Sequence, residues 1–119
     1  MNIYQELILD HYKHPKNYGE LAGATCTATA NNPLCGDKFV LQAVLEKELI
    51  VDLKFSGEGC AISTASASML TEYAKGKKKN EILTLNKEFI LEMLGIELSP
   101  NRLKCALLPL EGLHMLLLQ

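Results

Sequence analysis

Three cysteines and one aspartate come from three separate points along this chain: Cys35-Gly36-Asp37, Gly59-Cys60 and Lys104-Cys105. Three thiolates and a carboxylate make one complete tetrahedral metal shell, suited to zinc or to iron with bridging sulfide. A metal clip that only holds a fold together more usually offers two tight C-x-x-C pairs. Here the ligands are single, and each sits beside glycine or at a helix end. That is the pattern of a site built to stay accessible.

The 119 residues suit one compact domain, 1–119, and are too few for two ordinary ones. Charged residues at 22% and hydrophobic residues at 48% are near globular averages and argue against disorder. A net charge of −2 supplies no basic field for nucleic acid. No apolar run approaches the length of a membrane span, and Met1–Glu6 lacks the basic-then-apolar form of a signal peptide. The expected compartment is the cytoplasm, where four cysteines stay reduced and favour metal or sulfur chemistry over disulfides.

Along the chain, Ile3, Leu7 and Ile8 at helical spacing, with Tyr4 and Tyr12 flanking, predict a short amphipathic helix over 3–13. His14-Pro15 ends it. From Ala24 the period becomes two. Ala24, Cys26, Ala28 and Ala30 share one face, Phe39, Leu41, Ala43 and Leu45 form a second, and Val51, Leu53 and Phe55 form a third. Glu46-Lys47-Glu48 sits where a hairpin turn belongs. Three strands with short connections predict an antiparallel meander with one face covered by helices. A small-residue helix follows, with Ile62, Ala65, Met69 and Tyr73 on one face. Residues 80–94 continue helical with a break near Asn86. Ser99-Pro100 has the form of an N-cap with proline at the first helical position. The last helix carries Leu103, Ala106, Leu107, Leu110 and Leu117 on one stripe, and Pro109 predicts a kink or irregular turn.

Cys35 and Asp37 lie two apart on a proline- and glycine-bearing turn and can face the same point. Cys60 opens the small-residue helix, where free N–H groups and the helix dipole favour a thiolate; it fits equally a buried cysteine starting a tightly packed helix. Cys105 follows the cation Lys104 early in the last helix, one position off the apolar stripe, and both features favour thiolate. Alone it also fits a core residue. Cys26, among alanines on the first strand, reads as core. His11, His14 and His114 read as structural or exposed.

Taken together, these segments resemble the iron–sulfur cluster scaffold family that includes IscU, the N-terminal domain of NifU and SufU. The resemblance is carried by Leu9-Asp10-His11-Tyr12-Lys13-His14-Pro15-Lys16-Asn17 and Asn32-Pro33-Leu34-Cys35-Gly36-Asp37. It continues through Gly57-Glu58-Gly59-Cys60-Ala61-Ile62-Ser63 with Ala65-Ser66-Ala67-Ser68, and Arg102-Leu103-Lys104-Cys105. It implies an α+β fold of the SufE/NifU-like kind, a three-stranded antiparallel sheet covered by helices. It also implies that Cys35, Asp37, Cys60 and Cys105 match the family's metal and cluster ligands, with Asp37 a labile oxygen ligand. A cysteine desulfurase would deliver sulfur as a persulfide, with Cys105 the acceptor and Lys104 a thiolate activator. Iron would complete a [2Fe–2S] cluster for acceptor apo-proteins, zinc would fill the same shell without iron, and the chain would be a carrier rather than an enzyme.

Two departures pull within the family. IscU proteins usually carry His-Cys at the last motif, whereas Lys104-Cys105 leans toward SufU and a zinc-dependent sulfurtransferase. SufU, however, has a helical insertion between its second and third cysteines that this chain lacks. The segment Leu98–Arg102 matches the chaperone-recognition stretch of IscU only in part, which leaves a chaperone a lesser expected partner. The third alternative is a non-catalytic module with a structural zinc.

Overall fold

The computed structural model describes residues 2–119. Helix α1 (Ile3–Lys13) starts on a capping box, in which Asn2 Oδ1 accepts from Gln5 N–H at 2.9 Å and Gln5 Oε1 accepts from Asn2 N–H at 3.1 Å. It ends at His14, whose backbone leaves the helical region before Pro15. The helix is where the spacing places it, yet its apolar stripe is not buried. Ile3 is 66% exposed, Tyr4 and Leu7 are exposed too, and only Ile8 and His11 reach the interior.

Strands β1 (Cys26–Asn32), β2 (Asp37–Glu46) and β3 (Leu49–Glu58) form an antiparallel sheet in the order β1-β2-β3. Alternation buries Phe39, Leu41 and Ala43 completely on β2 and Ala28 and Ala30 on β1, as their period-two spacing predicts. On β3 the expected face is corrected. The register shifts between Val44, opposite Asp52, and Leu45, opposite Ile50, which leaves Val51 without a partner. That extra residue reverses the alternation, so Ile50 is buried and Val51 is exposed.

Helix α2 (Ala61–Ala74) lies against α1, β3 and the last helix. Its buried residues are small apart from Leu70: Ser63 to Ser68, Thr71 and Ala74. Of the expected face, only Ala65 is fully buried and Tyr73 is exposed. Small side chains allow close approach, and their hydroxyls find partners. Ser68 Oγ meets the buried His11 Nδ1 at 2.7 Å, and Thr71 Oγ1 donates to Ala67 O at 2.8 Å. Helices α3 (Lys79–Leu83) and α4 (Lys87–Leu94) flank the expected break, with Asn86 capping α4.

Helix α5 (Pro100–Leu117) is capped by Ser99, whose Oγ accepts from Arg102 N–H at 3.3 Å. It runs helical through Pro109, so of the expected kink or irregular turn the irregular turn is absent. Ala106, Leu110 and Leu117 of the predicted stripe are buried, but so are Cys105, Leu108, Pro109, Leu113 and Leu116, so the buried face is wider than the stripe and takes in Cys105. Gly112 lets α5 sit on the sheet, since a Cβ there would meet Leu41 Cδ1 at 2.7 Å. The radius of gyration, 13.2 Å, is that of a single compact domain, about 13.5 Å for this length.

Candidate metal centre

The β1–β2 connection is organised by Asn32. Its carbonyl accepts from Gly36 N–H at 2.9 Å and Cys35 N–H at 3.3 Å, and its Oδ1 accepts from Leu34 N–H at 3.1 Å. Gly36 turns the chain with φ +75°, a conformation costly for other residues. This puts Cys35 on an exposed turn and Asp37 at the start of β2, where it is 4% exposed.

Asp37 links two of the three segments. Its Oδ1 accepts from the backbone N–H of Cys60 at 3.2 Å. Its Oδ2 is buried and has no hydrogen-bond partner among the described residues. A buried carboxylate oxygen without a partner costs more than the roughly 1–3 kcal/mol of a neutral group, so its retention here points to a cation ligand.

Cys60 is the N-cap of α2, as expected for a helix start, and its Sγ accepts from Ser63 N–H at 3.5 Å. Gly59 makes this approach possible: a Cβ there would run into Ser63 Oγ and meet Phe39 Cζ at 2.6 Å. Cys105 comes from the second turn of α5 and is 3% exposed. One residue later, Ser66 Oγ donates to the Ala106 carbonyl at 2.7 Å and ties α5 to α2.

Donor atoms of Cys35, Asp37 and Cys105 lie within 4.8 Å of one another. The Cys35 and Cys105 sulfurs are 3.6 Å apart, against about 3.8 Å for two thiolates on one tetrahedral zinc with Zn–S about 2.3 Å. The Cys60 thiol accepts from Ser63 N–H and neighbours Cys105, but it stands outside the group whose donors all lie within that distance. Three of the four expected donors are therefore together, with the fourth on a backbone already bonded to Asp37. Cys26 is partly buried against the core, His11 is buried on Ser68, and His114 Nε2 sits 2.9 Å from Ile82 O, so each keeps a structural place.

The electrostatics of Cys105 differ from the sequence expectation. Burial, then the neighbouring Cys35 and Cys60, push its pKa up to about 12, so without metal it is a protonated thiol. Lys104 is exposed and does not offset this; the one ion pair among the described residues joins Lys75 to Asp52. A bound cation reverses the balance, because a coordinating thiol is deprotonated outright. A cleft of about 450 Å³ opens between the Cys35 turn and the start of α5, with Asn32, Leu34, Arg102 and Lys104 on its walls. The turn was legible from Pro33 and Gly36, whereas the Asn32 bonds that organise it, Phe39 under Gly59 and the Ser66–Ala106 bond carry no local sequence signal.

A family model for the NifU-like N terminal domain matches residues 3–117. The zinc-dependent sulfurtransferase SufU of Bacillus subtilis is 38% identical, over 94% of this chain and 87% of its own length. The iron–sulfur cluster assembly scaffold protein IscU of Aquifex aeolicus is 40% identical, over 94% of this chain and 72% of its own length. The first alignment runs over 129 positions and the second over 114, so the SufU relative carries residues that this chain lacks. A crystal structure of a candidate iron–sulfur cluster assembly scaffold protein for the SUF system, from Fervidobacterium islandicum AW-1, superposes with a TM-score of 0.84. It is 30% identical and is matched over 94% of both chains.

Proposed function

The chain belongs to the NifU-like N terminal domain family, and from that premise we propose that it is a scaffold on which iron–sulfur clusters are assembled. One observation carries the reading: Cys35, Asp37 and Cys105 converge from two distant segments, with a buried carboxylate oxygen left for a cation. Cys60 completes the shell by turning about χ1 away from Ser63. The iron and the [2Fe–2S] cluster are cargo, and zinc takes the same donors when iron is absent. Asp37 supplies a harder, weaker ligand than a fourth thiolate, which suits a cluster that must leave.

Sulfur comes from a cysteine desulfurase as a persulfide, and the finished cluster goes to acceptor apo-proteins. The cleft beside Cys35 gives such partners access to the thiols. Four free cysteines suit a reducing compartment, the cytoplasm. Among the described residues no helix is long and apolar enough to cross a membrane. The protein acts as a carrier, without turnover of its own.

The 38% identity to SufU favours a second reading, zinc-dependent sulfur transfer through the same residues. Anaerobic incubation with a cysteine desulfurase, cysteine and ferrous iron separates the two. A visible cluster spectrum that is lost on Cys35→Ser supports the scaffold. Persulfide on the chain with zinc retained and no cluster supports transfer. If removing metal unfolds the chain and no sulfur is accepted, the zinc is structural.

A further inference from the structure

The backbone of Cys60 is pinned at both ends. Asp37 Oδ1 accepts from its N–H at 3.2 Å, and its carbonyl accepts from Thr64 N–H at 3.0 Å and from Ser63 Oγ at 3.2 Å. Rotation about χ1 is the freedom left to this side chain, and one neighbour acts on it. Ser63 is completely buried, and among the described residues its hydroxyl has no partner except Cys60. Its Oγ lies 3.5 Å from Cys60 Sγ, and its N–H donates to the same sulfur at 3.5 Å. With Cys60 as a thiol, S–H donates to Ser63 Oγ while Ser63 O–H donates to the Cys60 carbonyl, so both polar hydrogens are satisfied. A helical serine often bonds the carbonyl three residues back; contact with that residue's sulfur as well is what ties Ser63 to the site.

We propose that Ser63 is a positioning residue, a latch that holds the Cys60 sulfur short of the closed shell until a metal draws it in. The latch rests on the four-donor shell above and adds what controls its last member. Closing the shell takes Cys60 Sγ away from two hydrogen-bonding groups, whereas Asp37 Oδ2 has no such bond to lose. Reopening restores both contacts. Cys60 is then the last donor to bind and the first to let go. It lies beside Asp37, to which its backbone is bonded, so the two readily released ligands share one side of the shell.

The test is a double-mutant cycle on the full chain: wild type, Ser63→Ala, Cys60→Ala and the two together. Zinc affinity and zinc release are measured against a chromophoric chelator. Iodoacetamide labelling of Cys60 in metal-free protein is read by mass spectrometry, and urea unfolding checks the fold of each chain. Ser63→Ala keeps the Thr64 bond to the Cys60 carbonyl and removes the hydroxyl half of the latch. It should raise zinc affinity about fivefold, the effect of one ordinary hydrogen bond, slow zinc release to match, and speed labelling of Cys60. With Cys60→Ala already in place, the same change should leave zinc affinity unaltered. Unchanged or weaker zinc binding in Ser63→Ala overturns the latch, and the shell stands as long as Cys60→Ala itself weakens zinc. An equal gain with and without Cys60 also overturns the latch, because Ser63 then acts through helix packing. If Cys60→Ala does not weaken zinc, Cys60 is no ligand and the four-donor reading falls with the latch.

Discussion

Asp37 holds the backbone N–H of Cys60 at 3.2 Å with one carboxylate oxygen and keeps the other buried and unpartnered. The first oxygen fixes where α2 begins, and the second is left to a cation. Asp37→Asn keeps an oxygen for Cys60 while removing the charge. Zinc affinity, measured by competition with a chromophoric chelator, should fall. The metal-free melting temperature should hold or rise, because a buried charge without a counter-ion is replaced by a neutral amide. A fall in both would mean that the carboxylate is chiefly structural.

The raised pKa of Cys105 makes metal-free stability depend on alkaline pH. Its pKa goes from 9.0 to about 12 on folding, so the folded state holds the proton more tightly than the unfolded chain. The contribution is fully present below pH 9 and is lost as pH rises toward 12. Urea unfolding between pH 8 and 10 should show stability falling by up to about 1.4 kcal/mol per pH unit once the unfolded thiol titrates. Cys105→Ala should remove most of the slope, with Cys26, also raised by burial, supplying the remainder. Zinc-loaded protein should lack the Cys105 part, since the metal holds the thiolate.

Gly59 and Phe39 are packed too closely for a side chain between them. Gly59→Ala should destabilise the fold by about 1–3 kcal/mol through overpacking. It should also weaken zinc binding, because the start of α2 and Cys60 must move. Chemical denaturation with a parallel zinc titration reads both effects.

On α1, Leu7 is exposed and Ile8 is buried. Leu7→Ser should change unfolding free energy by no more than about 0.5 kcal/mol, whereas Ile8→Ala should cost about 2–5 kcal/mol. Equal losses would mean that the outer stripe of α1 is covered.

Much of the fold was legible because its signals are local. The cap at Ser99, the break near Asn86, the stop at Pro15 and the turn at Glu46–Glu48 follow from the chemistry of single positions, and the structure has each of them. The burial of α1, β3 and α5 was not. Ile3 and Leu7 repeat at helical spacing whether or not a partner covers them. Val51 leaves the inner face only because the pairing with β2 shifts. α5 is apolar around most of its circumference, so periodicity alone could not place Cys105 inside, and its raised pKa follows from that burial. The site residues share a common pattern: those on turns and caps, Cys35, Asp37 and Cys60, sit where their neighbours imply, while Cys105 depends on how α5 packs.

A cluster held by three thiolates and one carboxylate is built here in order to leave. The most direct measurement is transfer: the chain is loaded anaerobically with iron and sulfide, mixed with an apo-ferredoxin of the [2Fe–2S] type, and followed by visible circular dichroism. The cluster signal should form on this chain, be absent in Cys35→Ser, and pass to the ferredoxin with matching loss of iron from the donor. A chain that binds zinc and accepts sulfur yet never yields a transferable cluster would contradict it.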